Sequence, residues 1–227
     1  MSDPVHEAGD HPGPAAGAAP RPPALVLASS SPRRRELLGR LGVSFSIRVP
    51  DIDETPRPGE APPSYVERLA RAKAVEGRDR AERGADEVVV AADTTVDVDG
   101  SIVGKPADRG EAVTMLVLLS GRDHLVHTGV AVARGPRLVS SVTTSIVRFE
   151  RLDQAAIDEY VATGQPYDKA GGYSLTGATR PFVAAVEGSA SNVLGLPMAQ
   201  LEALLESVGV EPVTWGPPRS EPGSVTG

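Results

Sequence analysis

Residues 24–42 read ALVLASSSPRRRELLGRLG. Ala24–Ala28 is a short apolar run that breaks at Ser29-Ser30-Ser31-Pro32. Ser31 suits the N-cap of a helix and Pro32 its first position, because a proline there gives up only an N–H that has no intrahelical partner. Leu37, Leu38 and Leu41 then form an apolar stripe at helical spacing, and Gly42 stops it. A strand running directly into a helix is the opening unit of an α/β domain.

The same punctuation continues outward. Val43–Val49 alternates apolar and polar residues and predicts a half-buried strand, followed by a polar, proline-rich loop over Pro50–Pro63. Ser64-Tyr-Val-Glu67 has the spacing of a capping box and predicts a helix to about Glu82. Glu87–Ala92 (EVVVAA) reads as a buried strand ending on Asp93, and Thr94–Val98 and Ser101–Val103 flank the hairpin turn Asp99-Gly100. Asp108 with Glu111 caps a helix closed by Gly121, and two long strands, His124–Ala133 and Leu138–Phe149, follow. Asp153 opens a helix to about Ala162, then come a glycine-rich stretch (Ala170–Gly177), a strand at Pro181–Val186 and a helix over Pro197–Val208. Alternating elements with interspersed hairpins predict an α/β domain with a mixed, partly antiparallel sheet flanked by helices.

Composition narrows the function. Of 227 residues none is cysteine, which removes disulfide scaffolds, Cys-ligated metals and thiol nucleophiles. The net charge of −7 argues against a stable nucleic-acid partner held by a broad basic surface, and eight aromatic residues are too few for a base-stacking platform. Residues 1–23 hold nine glycines and prolines and residues 211–227 hold seven, with no apolar period, so both read as disordered tails around a domain at 24–210. The tails carry −2 and −1 of the charge, leaving −4 for the domain. The N-terminus has no cationic start followed by an apolar run, and no window approaches 18 apolar residues, so neither a signal peptide nor a membrane span is expected.

Charge and glycine concentrate in a few places. The turn Ser29–Arg35 offers unpaired backbone N–H groups, serine hydroxyls and arginines at a helix start. Arginine there opposes the helix dipole, which an anion bound between Arg33 and Arg34 would relieve; a solvated basic turn is the plain alternative. Asp93 follows an apolar strand, where a carboxylate can bind Mg²⁺ or take a proton from water, or merely cap a turn. Asp51-Ile-Asp53-Glu54 is an acidic loop suited to an oxygen-preferring cation, although most such loops are only solvated. Lys73 sits among small residues on a helix, a setting that usually means surface, and Lys105 lies in the loop Gly104-Lys-Pro106. Gly100–Lys105 is not a phosphate-binding Walker loop, since it lacks one spacer residue and has Pro106 after the lysine. In Tyr167–Gly177 glycines would let the backbone approach a ligand, and Thr176 could donate to a base edge. His124 and His127 point to opposite faces of a strand and His6 and His11 lie in the tail, which disfavours a histidine-based triad.

Together these segments closely resemble the Maf family of nucleoside triphosphate pyrophosphatases. The resemblance is carried by Leu27-Ala-Ser-Ser-Ser-Pro-Arg-Arg34 with Glu36-Leu-Leu38, Asp51-Ile-Asp-Glu54, Ala72-Lys-Ala74 and Ala92-Asp-Thr94. It continues through Gly104-Lys-Pro106, Leu119-Ser-Gly121 with His127-Thr-Gly129, Asp168-Lys-Ala-Gly171 and Gly195-Leu-Pro197, in the family's order. It implies a mixed α/β fold with a deep nucleotide cleft, related to house-cleaning inosine triphosphatases. It also implies hydrolysis of nucleoside triphosphates, modified ones included, to the monophosphate and pyrophosphate, with a divalent cation (Mg²⁺ or Mn²⁺) and a cytoplasmic location. In this likeness Asp93 is the proton acceptor, and Ser29, Arg34, Glu54, Lys73 and Lys105 surround the triphosphate and metal; the chemistry of attack at phosphorus assigns Glu54 and Asp93 to the metal and Arg33, Arg34, Lys73 and Lys105 to the phosphates. Arg33, Thr94 and Thr176 stand at base-selecting positions, where the dTTP/UTP-specific branch has Arg, Thr and Gln. A threonine hydroxyl is shorter than a glutamine amide and predicts a broader or shifted base preference. A homodimer is compatible with the sequence, and a non-catalytic nucleotide-binding regulator of septum formation is the competing function.

Overall fold

The computed structural model describes residues 23–82 and 84–210. The expected tails, apart from Pro23, lie outside the described residues. A seven-stranded mixed sheet runs β2 (Phe45–Ile47), β1 (Ala24–Leu27), β3 (Glu87–Val98), β5 (Asp123–Arg134), β6 (Arg137–Phe149) and β7 (Val183–Glu187), with β4 (Ser101–Val103) beside the far end of β3. β1 is parallel to β2 and β3, and every other pair is antiparallel. This is the mixed, partly antiparallel α/β sheet expected from the sequence.

Two features of the sheet position everything else. First, β1 pairs with β3 only over Glu87–Val90, and β4 takes the same edge only from Val96 onward. Between them Ala91–Thr95 has an open edge, a notch in the sheet. Second, α2 (Pro62–Asp79) lies almost on the strands beneath it. Its buried Ala70 and Ala74 meet Val26, Ala28, Val89, Ala91, Ala131 and Ala133, so small residues face small residues. At Gly129 a Cβ would stand 2.4 Å from the Val66 carbonyl oxygen, a distance no side chain tolerates. The opposite face is covered at one end by α1 (Pro32–Gly39) and α6 (Met198–Ser207), through Leu37, Leu38, Leu201 and Leu205. At the other end α3 (Arg109–Leu119) and α4 (Gln154–Ala162) pack with Phe149, Tyr160, Tyr173 and Phe182. No helix of the described residues is long and apolar enough to cross a membrane.

Several local expectations hold. Ser31, Asp108 and Asp153 each accept the backbone N–H three residues on, and the Asp99-Gly100 turn has positive φ at both residues, as a tight hairpin requires. Others need correction. Ser64 does not cap α2: the helix begins at Pro62 after Ala61, because two prolines with preset φ start it without a side-chain cap, and it ends at Asp79. The strand expected over Val43–Val49 shrinks to Phe45–Ile47, since this edge strand has only the four-residue β1 to pair with. Asp93 does not end its strand: β3 runs on to Val98, and it is the neighbouring β1 that stops short. The strand expected from Pro181 starts at Val183, because Gly177–Phe182 winds into 3-10 turns that accept a proline without a donor. A single helical turn, α5 (Ala190–Val193), capped by Ser189, precedes α6 and is too short to leave a periodic signal.

His124 and His127 are both buried and structural. His127 bonds Thr144 Oγ1 (2.8 Å) and Asp97 Oδ2 (3.1 Å), and His124 Nε2 meets the Tyr173 hydroxyl at 2.7 Å within the aromatic cluster. Burial pushes the His124 imidazole down to about 4, so it is neutral in the folded protein.

Gly129→Ala is expected to lower stability by about 1–3 kcal/mol, because α2 must move off the sheet; urea denaturation checks it, and an unchanged midpoint contradicts the close approach. In the unfolded chain His124 titrates near 6.5, so between that pH and about 4 only the unfolded state binds its proton. Its contribution, up to about 3 kcal/mol, is therefore present above pH 6.5 and lost on acidification. The stability difference between wild type and His124→Gln should shrink or reverse at about pH 4.5 relative to about pH 7.5; a pH-independent difference refutes it.

Candidate functional site

The notch in the sheet opens into a cleft of about 450 Å³. Because side chains alternate along β3, Asp93 projects to the α2 face and Thr94 to the opposite face, so adjacent residues serve both sides of the opening. The β1–α1 turn (Ser29–Arg34) lines it, with Gly104-Lys105 and with Ala170, Tyr173 and Ser174.

On the α2 side Lys73 donates to Asp93 Oδ1 at 2.6 Å and pairs with Glu54 Oε1 at 2.8 Å. Lys73 is 6% exposed and Asp93 7%. The lysine is therefore buried, contrary to the usual reading of a helix lysine, and the flanking small residues of α2 leave room for its stem. It turns to the carboxylates, and one of its three N–H bonds remains for another acceptor. Burial alone would raise the Glu54 pKa, but the hydrogen bond and charge of Lys73, with Lys105 and Arg34 beyond, hold it below the usual range. Asp51 and Asp53 do not line the cleft; Asp53 accepts the Thr55 N–H in a local turn. Tyr65, which the sequence did not single out, donates to the Glu54 carbonyl at 3.0 Å and fixes the acidic loop against α2. Burial and the charges of Asp93 and Glu54 push its hydroxyl up to about 12, so it remains a donor.

On the α1 side Ser29 Oγ accepts from Ser31 N–H (3.1 Å) and Arg34 Nη1 (3.4 Å). Arg34 donates Nε to the Gly195 carbonyl (2.9 Å) and Nη2 to Thr94 Oγ1 (3.0 Å). Burial lowers the Arg34 pKa from its ordinary 12.5 and the Asp93 charge opposes that, so the guanidinium stays a cation. Arg33 reaches the other way, to Asp168, at 3.3 Å from its carbonyl and 3.6 Å from its carboxylate. Asp168 also pairs with Lys169. Lys105 is exposed at the rim and has no ion-pair partner among the described residues.

The cleft thus gathers Ser29, Arg33, Arg34, Glu54, Lys73, Asp93, Thr94 and Lys105. Thr176 is the exception: it lines a small neighbouring depression with Arg33, Glu36, Leu37, Arg40 and Leu194. Arg33 is common to both spaces.

Two carboxylates on one ammonium are hard oxygen donors, and among the described residues no group of three or more His, Asp or Glu could hold a metal. That donor set fits a magnesium-like ion, which takes one or two protein carboxylates and completes its shell with water and substrate oxygens, and does not fit zinc.

The Maf-like protein family model matches residues 24–208. The chain is 53% identical over 191 residues to the dTTP/UTP pyrophosphatase of Sphingopyxis alaskensis, covering 83% of this chain and 98% of that one. It is 50% identical over 200 residues to the dTTP/UTP pyrophosphatase of Anaeromyxobacter dehalogenans, covering 86% and 99%. Among solved structures it is similar to a nucleoside-triphosphatase / dITP/XTP pyrophosphatase from Mycobacterium abscessus, with a TM-score of 0.41 and 17% identity over 82% of this chain and 94% of that one. Matched from the start of β1 through α6, this chain belongs to the Maf-like protein family.

Proposed function

We propose that the protein is a nucleoside triphosphate pyrophosphatase, cutting between the α- and β-phosphates, with residues 24–210 as the catalytic unit. The observation that carries this reading is the buried Lys73–Asp93 pair, joined by the more exposed Glu54, in one cleft with Arg34 and Lys105. A carboxylate base beside a cationic cradle suits hydrolysis of a polyphosphate. A binding protein needs the cradle but not the base, which weighs against a non-catalytic regulator of septum formation. The relatives' substrates make dTTP and UTP the first candidates.

Water attacks the α-phosphorus, the bond to the bridging oxygen of the β-phosphate breaks, and pyrophosphate leaves. Lys73 occupies Asp93 Oδ1, so Oδ2, which has no protein partner among the described residues, accepts the proton from the attacking water. Glu54 and Asp93 would hold the divalent cation, Mg²⁺ or Mn²⁺, which when bound neutralises charge developing on the phosphate oxygens. Arg34, Lys105 and the third N–H of Lys73 contact the departing pyrophosphate, and Ser29 orients Arg34. Arg33 and Thr94 lie toward the base, with Thr176 acting through the depression it shares with Arg33.

With dTTP, UTP and a panel of other nucleotides in Mg²⁺ or Mn²⁺, pyrophosphate release is the expected activity; no turnover on any of them rejects the enzyme. Asp93→Asn should cut kcat by about 10²-fold or more while nucleotide still binds, since it removes the base and keeps the shape. Thr176→Gln restores an amide with donor and acceptor on a longer arm, and should raise the ratio of kcat/KM for dTTP over dATP by about tenfold. An unchanged ratio would show that this position does not sense the base.

A further inference from the structure

Arg34 is held from behind by a directed run of hydrogen bonds that ends away from the cleft. Thr128 and Asn192 are both 0% exposed, and neither lines the cleft. Thr128 donates its only hydroxyl proton to the Asn192 carbonyl at 2.8 Å. Thr94 and Thr128 hydroxyls lie 3.0 Å apart. Since the Thr128 proton is committed, Thr94 must be the donor of that pair. Thr94 Oγ1 is thereby left as an acceptor, and Arg34 Nη2 donates to it at 3.0 Å. The direction of every bond from Arg34 to α5 is fixed by one proton per hydroxyl.

The far end is anchored as firmly. Asn192 Nδ2 donates to the Val126 carbonyl (3.0 Å) and Ser145 Oγ (2.9 Å), tying the α5 turn to β5 and β6. The turn that follows returns to Arg34 by a second route, since Gly195 N–H donates to the Asn192 carbonyl (2.9 Å) and the Gly195 carbonyl accepts Arg34 Nε. Gly195 has φ +104°, which a side chain would strain, and a Cβ there would crowd both routes, 3.3 Å from Thr94 Oγ1 and 3.5 Å from Arg34 Nε.

We propose that Thr128 and Asn192 are positioning residues that fix the Arg34 guanidinium toward the phosphate chain through Thr94 and Gly195. Thr94, with no proton left to give, serves Arg34 and meets a nucleotide only as an acceptor. This rests on the reading of the cleft as a phosphate site. Buried hydroxyl relays of this kind keep a charged group in one rotamer, so its loss should appear as weaker phosphate binding.

The test is calorimetric titration of the full chain with inorganic pyrophosphate in Mg²⁺, which needs no turnover. Thr128→Val keeps the shape and removes the relay, and is expected to weaken binding about tenfold, whereas Thr128→Ser, which keeps the hydroxyl, stays within about twofold of wild type. A residue acting only on stability would show no coupling, so the decisive measurement is a double-mutant cycle: in an Arg34→Ala background Thr128→Val should cost nothing further. Equal binding by wild type and Thr128→Val, or an undiminished effect without Arg34, overturns the relay alone. No pyrophosphate binding to wild type overturns the phosphate reading and the relay with it. If Thr128→Val is too unstable to titrate, Thr94→Val breaks the next link and must show the same coupling to Arg34; additivity there overturns the proposal.

Discussion

A lysine ammonium buried between two carboxylates is the interaction on which the rest of the cleft depends. Unpaired, Lys73 would be costly at 6% exposure, and so would Asp93 at 7%. Paired, they fix three separate parts of the chain: α2, the open edge of β3 and the acidic loop that carries Glu54. Removing Lys73 would leave the buried Asp93 carboxylate uncompensated, so the pair is held together by the cost of a lone buried charge. Tyr65 adds a bond from the same helix to the Glu54 carbonyl, so α2 grips the loop at two points.

That pairing is possible only because α2 sits close. A helix normally packs at about 10 Å from a sheet face, and a lysine at its centre would be directed into apolar side chains. Here Ala70, Ala74, Ala91, Ala131 and Gly129 strip the interface of bulk, and the backbone of α2 at Val66 meets Gly129 directly. The geometry of the cluster is therefore set by the absence of side chains around it. Backbone approach of this kind is rigid in a way a long-chain interface is not, because no rotamer can absorb a shift.

Much of the fold was legible because its signals are local. Ser31, Asp108 and Asp153 cap helices through their own hydroxyl or carboxylate, and Asp99-Gly100 turns a hairpin through its own backbone. What misled the sequence reading was decided elsewhere: Phe45–Ile47 is short because β1 is short, and Ser64 is overruled by the prolines before it. The site divides in the same way. The β1–α1 turn and Asp93 stood out by residue type and position, Lys73 and Glu54 entered through the family resemblance, and of the site residues so named the structure brings all but Thr176 to one opening. The partners could not be named, since nothing near Lys73 in sequence reveals that it faces Asp93 twenty residues on, and Tyr65 has no signal beyond a place in a helix.

The arginines at the start of α1 show how an unfavourable local choice is made tolerable by the fold. Cations in a first helical turn face the positive end of the dipole. Neither guanidinium stays there. Arg33 crosses to Asp168, and Arg34 crosses to Thr94 and Gly195, so each is drawn away from the helix axis by acceptors on a different segment. The acceptors differ in kind. Arg33 is met by a carboxylate that is also shared with Lys169, an exchangeable ion pair near the surface, whereas Arg34 is met by neutral oxygens that cancel none of its charge. A cation solvated by dipoles keeps its full attraction for an anion, while one already paired must give up its partner first. Of the two adjacent arginines, Arg34 thus lines the cleft bonded only to neutral oxygens, whereas Arg33 is ion-paired and stands at the boundary with the depression that Thr176 lines.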